Sequence, residues 1–280
     1  MILVADSGST KTTWADVETG NKIVTEGLNP HFCTDQQVLD ACQQVRQKLS
    51  IFNSQISIHF YGAGCGNNSQ RGRIASLLCK VFGTSNVHVD TDMLGACRAV
   101  GGKQTCLVGI LGTGSNICSY DGKEITCQPL STGYILGDFG SANHLGRVLL
   151  NGYLSHNMPS SLRDTFHDRY QMSDSEFIDA VYHHPHPNRF LASLAPFAIQ
   201  HLKDDYCRRA ITLTLEDWVV EMVMPLWRDA SENEVLHVIG GYAKAIEPTL
   251  RSILENDGLV VGKIIADPIE GLREYHFKNS

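Results

Sequence analysis

The run Met1-Ile-Leu-Val-Ala-Asp6-Ser7-Gly8-Ser9-Thr10-Lys11 carries an acidic residue at the end of an apolar stretch straight into a turn of small residues. An alternating segment follows at once. It sets Thr12, Trp14 and Asp16 on one face and Thr13, Ala15 and Val17 on the other, the period of an antiparallel hairpin. Such a turn can offer backbone N–H groups and hydroxyls to a phosphate, because Gly8, Ser7, Ser9 and Thr10 permit close approach. Asp6 supplies an oxygen ligand suited to Mg²⁺, directly or through water. The same device returns mid-chain. Thr105-Cys-Leu-Val-Gly-Ile-Leu111 runs into Gly112-Thr113-Gly114-Ser115-Asn116, and Ile117-Cys-Ser-Tyr120 leads out. Gly, Ser and Asp are also ordinary turn residues, so either turn alone is a plain hairpin as readily as a phosphate site. Neither is a G-x-x-x-x-G-K-[ST] loop, since a strand rather than a helix follows each. Their recurrence at matching positions predicts two related halves closing on one nucleotide.

The elements that position these turns read as a repeated order. After the hairpin, Lys22–Thr25 is a third strand, and Thr34-Asp35 caps a helix with Val38, Leu39, Cys42, Val45 and Leu49 at helical spacing. Ile56–Tyr61 is a strand ending in Gly62-Ala-Gly64-Cys65-Gly66. A helix over 68–82, a strand over 87–89 and a helix over 91–100 complete the half. The second half has strands near 105–111, 116–121 and 124–128. A mostly helical insertion spans Gly140 to Asp229, with a long helix ending near Pro225. A strand at 235–239, a helix over 242–255, a strand at 259–265 and a last helix over 269–276 follow. Three strands followed by alternating helix and strand is the order of a ribonuclease-H-like unit.

At 280 residues, with 42% hydrophobic and 19% charged content, the chain has material for two globular cores. A net charge of −7 argues against general nucleic-acid binding. The nine cysteines are scattered, without a C-x-x-C pair, and predict reduced thiols rather than disulfides. No apolar run is long enough to span a bilayer, and no basic leader precedes the first strand, so neither membrane nor nucleic acid is an expected partner and a cytoplasmic location is expected. A homodimer is left open.

With these residues in place, the chain resembles the acetate and sugar kinase/Hsp70/actin superfamily. Within it the chain is most similar to the BadF/BadG/BcrA/BcrD-type ATPases that include N-acetylglucosamine kinases. Asp6-Ser-Gly-Ser-Thr10-Lys11 stands where that family has D-G-G-G-T-K. Gly112-Thr113-Gly114-Ser115-Asn116 matches the second phosphate motif. Gly137-Asp138-Phe139-Gly140-Ser141 matches G-D-E-G-S except that Phe139 replaces Glu. Gly240-Gly241-Tyr242-Ala243 falls at the adenosine motif, and Asp267-Pro268-Ile269-Glu270-Gly271 resembles the closing D-P-x-x-G. The resemblance implies an α/β fold of two ribonuclease-H-like (actin-like ATPase) domains with an interdomain cleft. Residues 1–103 form the first domain, with 267–280 packing back on it, and 104–266 form the second. Hinges are expected near Gly101-Gly102 and Ala266.

The resemblance also implies an ATP- and Mg²⁺-dependent kinase acting on an amino sugar, N-acetylglucosamine or glucosamine. Asp92, after a strand and opening a helix, is the expected base; a helix N-cap is the plainer reading of the same residue, and Asp90 is the second choice. Sugar contacts are expected from Asn29, Asp92, Gly133 and Asp138. Nucleotide contacts are expected from Ser9, Thr10, Lys11, Gly112, Thr113, Gly114, Ser115, Gly240, Gly241 and Ala243, with Asp6 at the metal. His183, His184 and His186 lie on a Pro-interrupted loop without an evident carboxylate partner and read as a loop rather than a metal site. Gly64-Cys65-Gly66 reads as a tight turn rather than a reactive thiol. Two other functions stay open. One is an ATPase driving electrons into a 2-hydroxyacyl-CoA dehydratase, disfavoured because Cys106, Cys118 and Cys127 read as strand residues. The other is a non-catalytic sugar sensor.

Overall fold

A computed structural model describes residues 1–51, 55–228 and 234–279. The expected end of the helical insertion, at Asp229, lies outside the described residues. The chain divides into two compact units, Met1–Thr105 with Tyr120–Ile125 and Asp267–Ser280, and Cys106–Ser119 with Thr126–Ala266.

Unit 1 contains β1 (Ile2–Ser7), β2 (Lys11–Asp16), β3 (Lys22–Glu26), α1 (Asp35–Lys48), β4 (Ser57–Gly62), α2 (Asn68–Phe82), β5 (Val87–Thr91) and α3 (Asp92–Val100). Its sheet runs in the order β3-β2-β1-β4-β5. The hairpin partners are antiparallel, and β1, β4 and β5 run parallel. The alternation of the hairpin is kept in the packing. Leu3, Ala5 and Trp14 join the core beneath α1 and α2, while Val4, Ala15 and Val17 join a second core on the opposite face. Coverage on both faces explains why β1 is apolar throughout instead of alternating. Helix α1 begins with a complete capping box, Thr34 and Gln37 each bonding the other's backbone amide.

Unit 2 contains β6 (Cys106–Leu111), β7 (Ser115–Tyr120), β8 (Ile125–Cys127), α4 (Gly133–Leu136), α5 (Ala142–Leu154), α6 (Ser160–Tyr170), α7 (Asp174–Tyr182), α8 (Pro187–Gln200), α9 (Asp205–Trp218), α10 (Met224–Trp227), β9 (Leu236–Ile239), α11 (Gly241–Ala245), α12 (Glu247–Asn256) and β10 (Val261–Ile265). The sheet order β8-β7-β6-β9-β10 repeats that of unit 1. Together with the mixed strand directions, this is the two-domain α/β architecture of the actin-like ATPases. Two local expectations are refined. The long helix ends at Trp227, near Pro225 as expected, but is not one regular helix: α9 passes through a π-helical turn, Val219–Val223, into α10, and Pro225 sits in the first turn of α10, where its missing N–H is tolerated. The helix expected over 242–255 is two helices, broken at Ile246 ahead of Glu247-Pro248.

The last helix, α13 (Ile269–Lys278), belongs to unit 1 and packs against α3, β1 and β2. At its far end it meets a cluster of rings in which Tyr61 and His276 are buried, His59 is half-buried and His88 is exposed. In register, His59 of β4 pairs with His88 of β5, and Tyr61 with Asp90. The rings of His59 and His88 stack at 4.9 Å, and those of His59 and His276 lie 4.0 Å apart. Arg98 Nη1 donates to Tyr61 Oη at 2.8 Å, and Tyr61 Oη shares a further hydrogen bond with His276 Nε2, also at 2.8 Å. Burial, then the neighbouring His59, Arg98 and His88, lower the His276 pKa to about 3; burial, His88 and Arg98 lower that of His59 to about 4.

In the unfolded chain both histidines titrate near 6.5, so the unfolded state takes up protons first as the pH falls. The contribution of these two histidines is then complete above pH 6.5 and is lost progressively between pH 6.5 and about 3. Urea unfolding at a series of pH values is expected to show this loss. His276→Gln is expected to flatten it, and an identical slope in the variant would refute the assignment.

Candidate functional site

Two turns, one in each unit, are the focus of the site residues. In unit 1 the β1–β2 turn is closed by the Gly8 amide on Lys11 O at 3.0 Å, and the Gly27 amide reaches Thr10 O at 3.1 Å. Ser7 is fully buried, with Oγ 2.8 Å from Thr12 Oγ1 and accepting the Leu28 amide at 3.1 Å. The expectation of freely available amides is thus narrowed, since Gly8 spends its own on the turn. Thr10 is exposed and its amide takes no part in the turn's hydrogen bonds, while Ser9 is half-buried.

Asp6 lies one residue before the end of β1. Its carboxyl is desolvated although its edge reaches solvent, and its pKa is pushed up to about 8. Burial is the main cause, with the charges of Asp267 and Asp92 adding to it and Lys11 opposing. Lys11 Nζ donates to Asp267 Oδ2 at 3.1 Å, and Thr13 Oγ1 to the same oxygen at 3.5 Å. Asp267 is the residue that sequence reasoning left out of the site. Its D-P motif was legible as a helix start, but nothing local tied it to Lys11, 256 positions away.

Asp92 is the first residue of α3, and it is not the N-cap. Thr91 holds that place, with Oγ1 accepting the Leu94 amide at 3.1 Å. The Asp92 carboxylate accepts the Met93 amide at 2.9 Å, and burial raises its pKa against that hydrogen bond. Asp90 is placed differently: Arg71 Nη1 lies 3.7 Å and Arg98 Nη1 3.9 Å from its carboxylate oxygens. Asn29 is buried, with Oδ1 accepting the His31 amide at 3.0 Å. Gly64, at φ +82°, passes so close that a Cβ there would lie 2.3 Å from Asn29 Oδ1. Burial pushes the adjacent Cys65 thiol up to about 12, which suits a packed turn and not a nucleophile.

In unit 2 the Gly112–Asn116 turn is braced from several sides. The Gly112 amide bonds Gly114 O at 2.9 Å, and the Ala142 and Asn143 amides of α5 reach Gly112 O at 2.9 Å and Thr113 O at 3.1 Å. Asp138, itself at φ +52°, accepts the Ser115 amide at 3.1 Å and Asn143 Nδ2 at 2.8 Å on its two oxygens. Ser115 Oγ lies 3.6 Å from Met222 Sδ in the π-helical turn. Ser115 and Asp138 are therefore tied into the turn, whereas the amides of Thr113 and Gly114 are not used by its hydrogen bonds. Gly240 lies alongside: at φ +140°, a Cβ would fall 2.0 Å from Leu111 O, so only glycine lets the end of β9 approach this turn. Gly241 is exposed and Ala243 fully buried. Gly133 is exposed at the start of α4. The ring of Phe139, where the resembled family has Glu, meets His144 edge-on at 6.0 Å and packs on the unit 2 core.

Two of the three histidines, His183 and His184, do have a carboxylate partner. Asp179 pairs with His183 and His184 at 2.9 Å each, all three exposed. Among the described residues no three His, Cys, Asp or Glu side chains are arranged to hold a metal ion by themselves. No described helix is long and apolar enough to cross a membrane.

Among solved structures, the chain aligns over 100% of its length, and 99% of the other's, with a protein from Porphyromonas gingivalis named "Putative N-acetylglucosamine Kinase", at 35% identity and a TM-score of 0.93. The chain belongs to that protein's family, within the actin-like ATPase superfamily. A second protein carrying that name, from Chromobacterium violaceum, aligns over 98% of each chain at 18% identity and a TM-score of 0.76. A ROK family glucokinase from Streptomyces griseus, solved with glucose and AMPPNP, covers 98% of this chain and 97% of its own at 13% identity and a TM-score of 0.56. These last two show the shared fold. No protein-family model matches the chain, and no curated protein does.

The raised Asp6 pKa has a sign that can be tested. The folded state holds a proton that the unfolded chain releases near 3.8, so stability falls as the pH rises from about 4 towards 8. Asp6→Asn is expected to raise the melting temperature of the ligand-free protein at pH 8. An equal or lower melting temperature would contradict the charge crowding described here.

Proposed function

We propose that this protein is an ATP-dependent kinase of the BadF/BadG type that phosphorylates a hydroxyl of an amino sugar, N-acetylglucosamine or glucosamine. The observation that carries this reading is Asp92: capping is done by Thr91, so the desolvated Asp92 carboxylate, half-buried and bonded by the Met93 amide, is available for chemistry next to the first turn. Full-length similarity to a family member named for this activity supports the substrate class.

In this reading Asp92 accepts the proton of the sugar hydroxyl, and its raised pKa improves it as a base. Asp90, facing two arginines, is assigned to structure. Asn29 and Gly133 are assigned to the sugar. Asp138 is assigned to the sugar as well as to bracing the second turn, since each of its oxygens keeps a lone pair beyond the bond it accepts there. Lys11 with the Thr10 amide, and the Thr113 and Gly114 amides, are assigned to phosphates. Gly240, Gly241 and Ala243 are assigned to adenosine. The first domain is taken as 1–103 with the last helix, and the second as 104–266.

The residues fit a magnesium ion. Asp6 carries a carboxylate whose charge lacks a full counterweight, its acidic neighbours offer oxygen only, and Mg²⁺ ordinarily uses one or two carboxylates with water and phosphates. The ion would supply charge neutralisation on the phosphates.

A coupled assay of ADP release over a panel of amino sugars with Mg·ATP tests the reading. Turnover is expected with N-acetylglucosamine or glucosamine. Asp92→Asn is expected to lower it by about 10²–10⁴ while sugar and AMPPNP binding persist by calorimetry. Turnover in the variant within a few-fold of wild type would overturn the assignment of the base.

A further inference from the structure

The last helix enters the site through one side chain. Asp267 Oδ2 receives Lys11 Nζ and Thr13 Oγ1, both from β2, while Oδ1 accepts the Ile269 amide at 2.9 Å and so starts α13. The carboxylate is fixed from the helix side and grips the hairpin on the other. The helix cannot shift freely, because it packs on β1, β2 and α3 and is pinned at its far end by the His276–Tyr61–Arg98 chain of hydrogen bonds. Lys11 itself is 59% exposed, and a lysine on an open hairpin otherwise samples many rotamers. An ion pair so exposed adds little to folding, so its consequence is where it holds the ammonium group.

We propose that Asp267 is a positioning residue of the nucleotide site: it holds Lys11 aligned along β2 for an incoming phosphate, and makes α13 part of that site. The inference rests on the phosphotransfer reading above. It runs against simple electrostatics, in which an extra carboxylate beside a phosphate site only repels the nucleotide. The two accounts predict opposite signs when the charge is removed.

The test is calorimetric binding of Mg·AMPPNP to wild type, Asp267→Asn, Lys11→Met and the double variant, with steady-state kinetics on each. The asparagine keeps an oxygen for the Ile269 amide, so the melting temperature reports whether α13 stays in place. Positioning predicts that Asp267→Asn weakens nucleotide binding about five- to tenfold, raising KM for ATP more than it lowers kcat. It also predicts that the double variant binds no more weakly than Lys11→Met alone, since both changes remove one interaction. Unchanged or tighter binding by Asp267→Asn, or effects that add in the double variant, overturns the proposal while leaving the kinase reading intact. Failure of wild type to bind nucleotide overturns the kinase reading and this one with it. Should Asp267→Asn fail to fold, Thr13→Val removes part of the same grip without touching the helix start. A rise in Kd of about two- to threefold is then expected, and no change overturns the proposal.

Discussion

Negative charge gathered at the end of β1 is the constraint on which unit 1 is organised. Asp6 is carried there by an apolar strand that cannot be exposed, and Asp92 and Asp267 are close enough to raise its pKa, with Lys11 as the opposing charge. Burying a carboxylate beside two others opposes folding, and it is tolerated because the surrounding sheet is covered on both faces by packed cores. A cation together with a phosphate chain would turn this unfavourable arrangement into a favourable one. The stability given up in the ligand-free protein is then recovered on binding, a common property of functional sites.

Unit 2 solves the complementary problem of holding a turn still without charge crowding. The same strand order brings β6 into the place that β1 holds in unit 1. Here the turn after the strand is fixed by the first amides of α5 and by both oxygens of Asp138. What the turn leaves unused are two amides, Thr113 and Gly114, pointing to recognition through backbone N–H groups rather than through side-chain charge. Gly240 brings the β9–α11 connection to the same place.

Much of this was readable from residue order, because the signals were local. The apolar run into Asp6-Ser-Gly-Ser, its counterpart at Gly112, the capping box at Thr34 and the alternation of the hairpin each depend on neighbours within a few positions. What was not readable depended on distance or on a choice among equals. Asp267 meets Lys11 only after the chain has built both sheets. Thr91 and Asp92 are adjacent and both suited to capping, so residue type could not say which would be released for chemistry. The continuation of the helix through Pro225 required a π-helical turn, whose wider spacing has no signature in apolar periodicity. The bonds from Ser115 and Asn143 that tie Asp138 to the turn beside it had no signal in its motif either.

In the proposed kinase reading Asp6 holds a magnesium–nucleotide, and its proton reports on that binding directly. At pH 7.5 the carboxyl, with a pKa near 8, is largely protonated in the free protein, and a cation at that site would expel the proton. Calorimetric titration of Mg·ATP in buffers of different ionisation enthalpy, on wild type and Asp6→Asn without sugar, measures protons released per nucleotide bound. A release of about three-quarters of a proton in wild type beyond that of the variant is expected. Tight nucleotide binding with the same proton count in both proteins would contradict it.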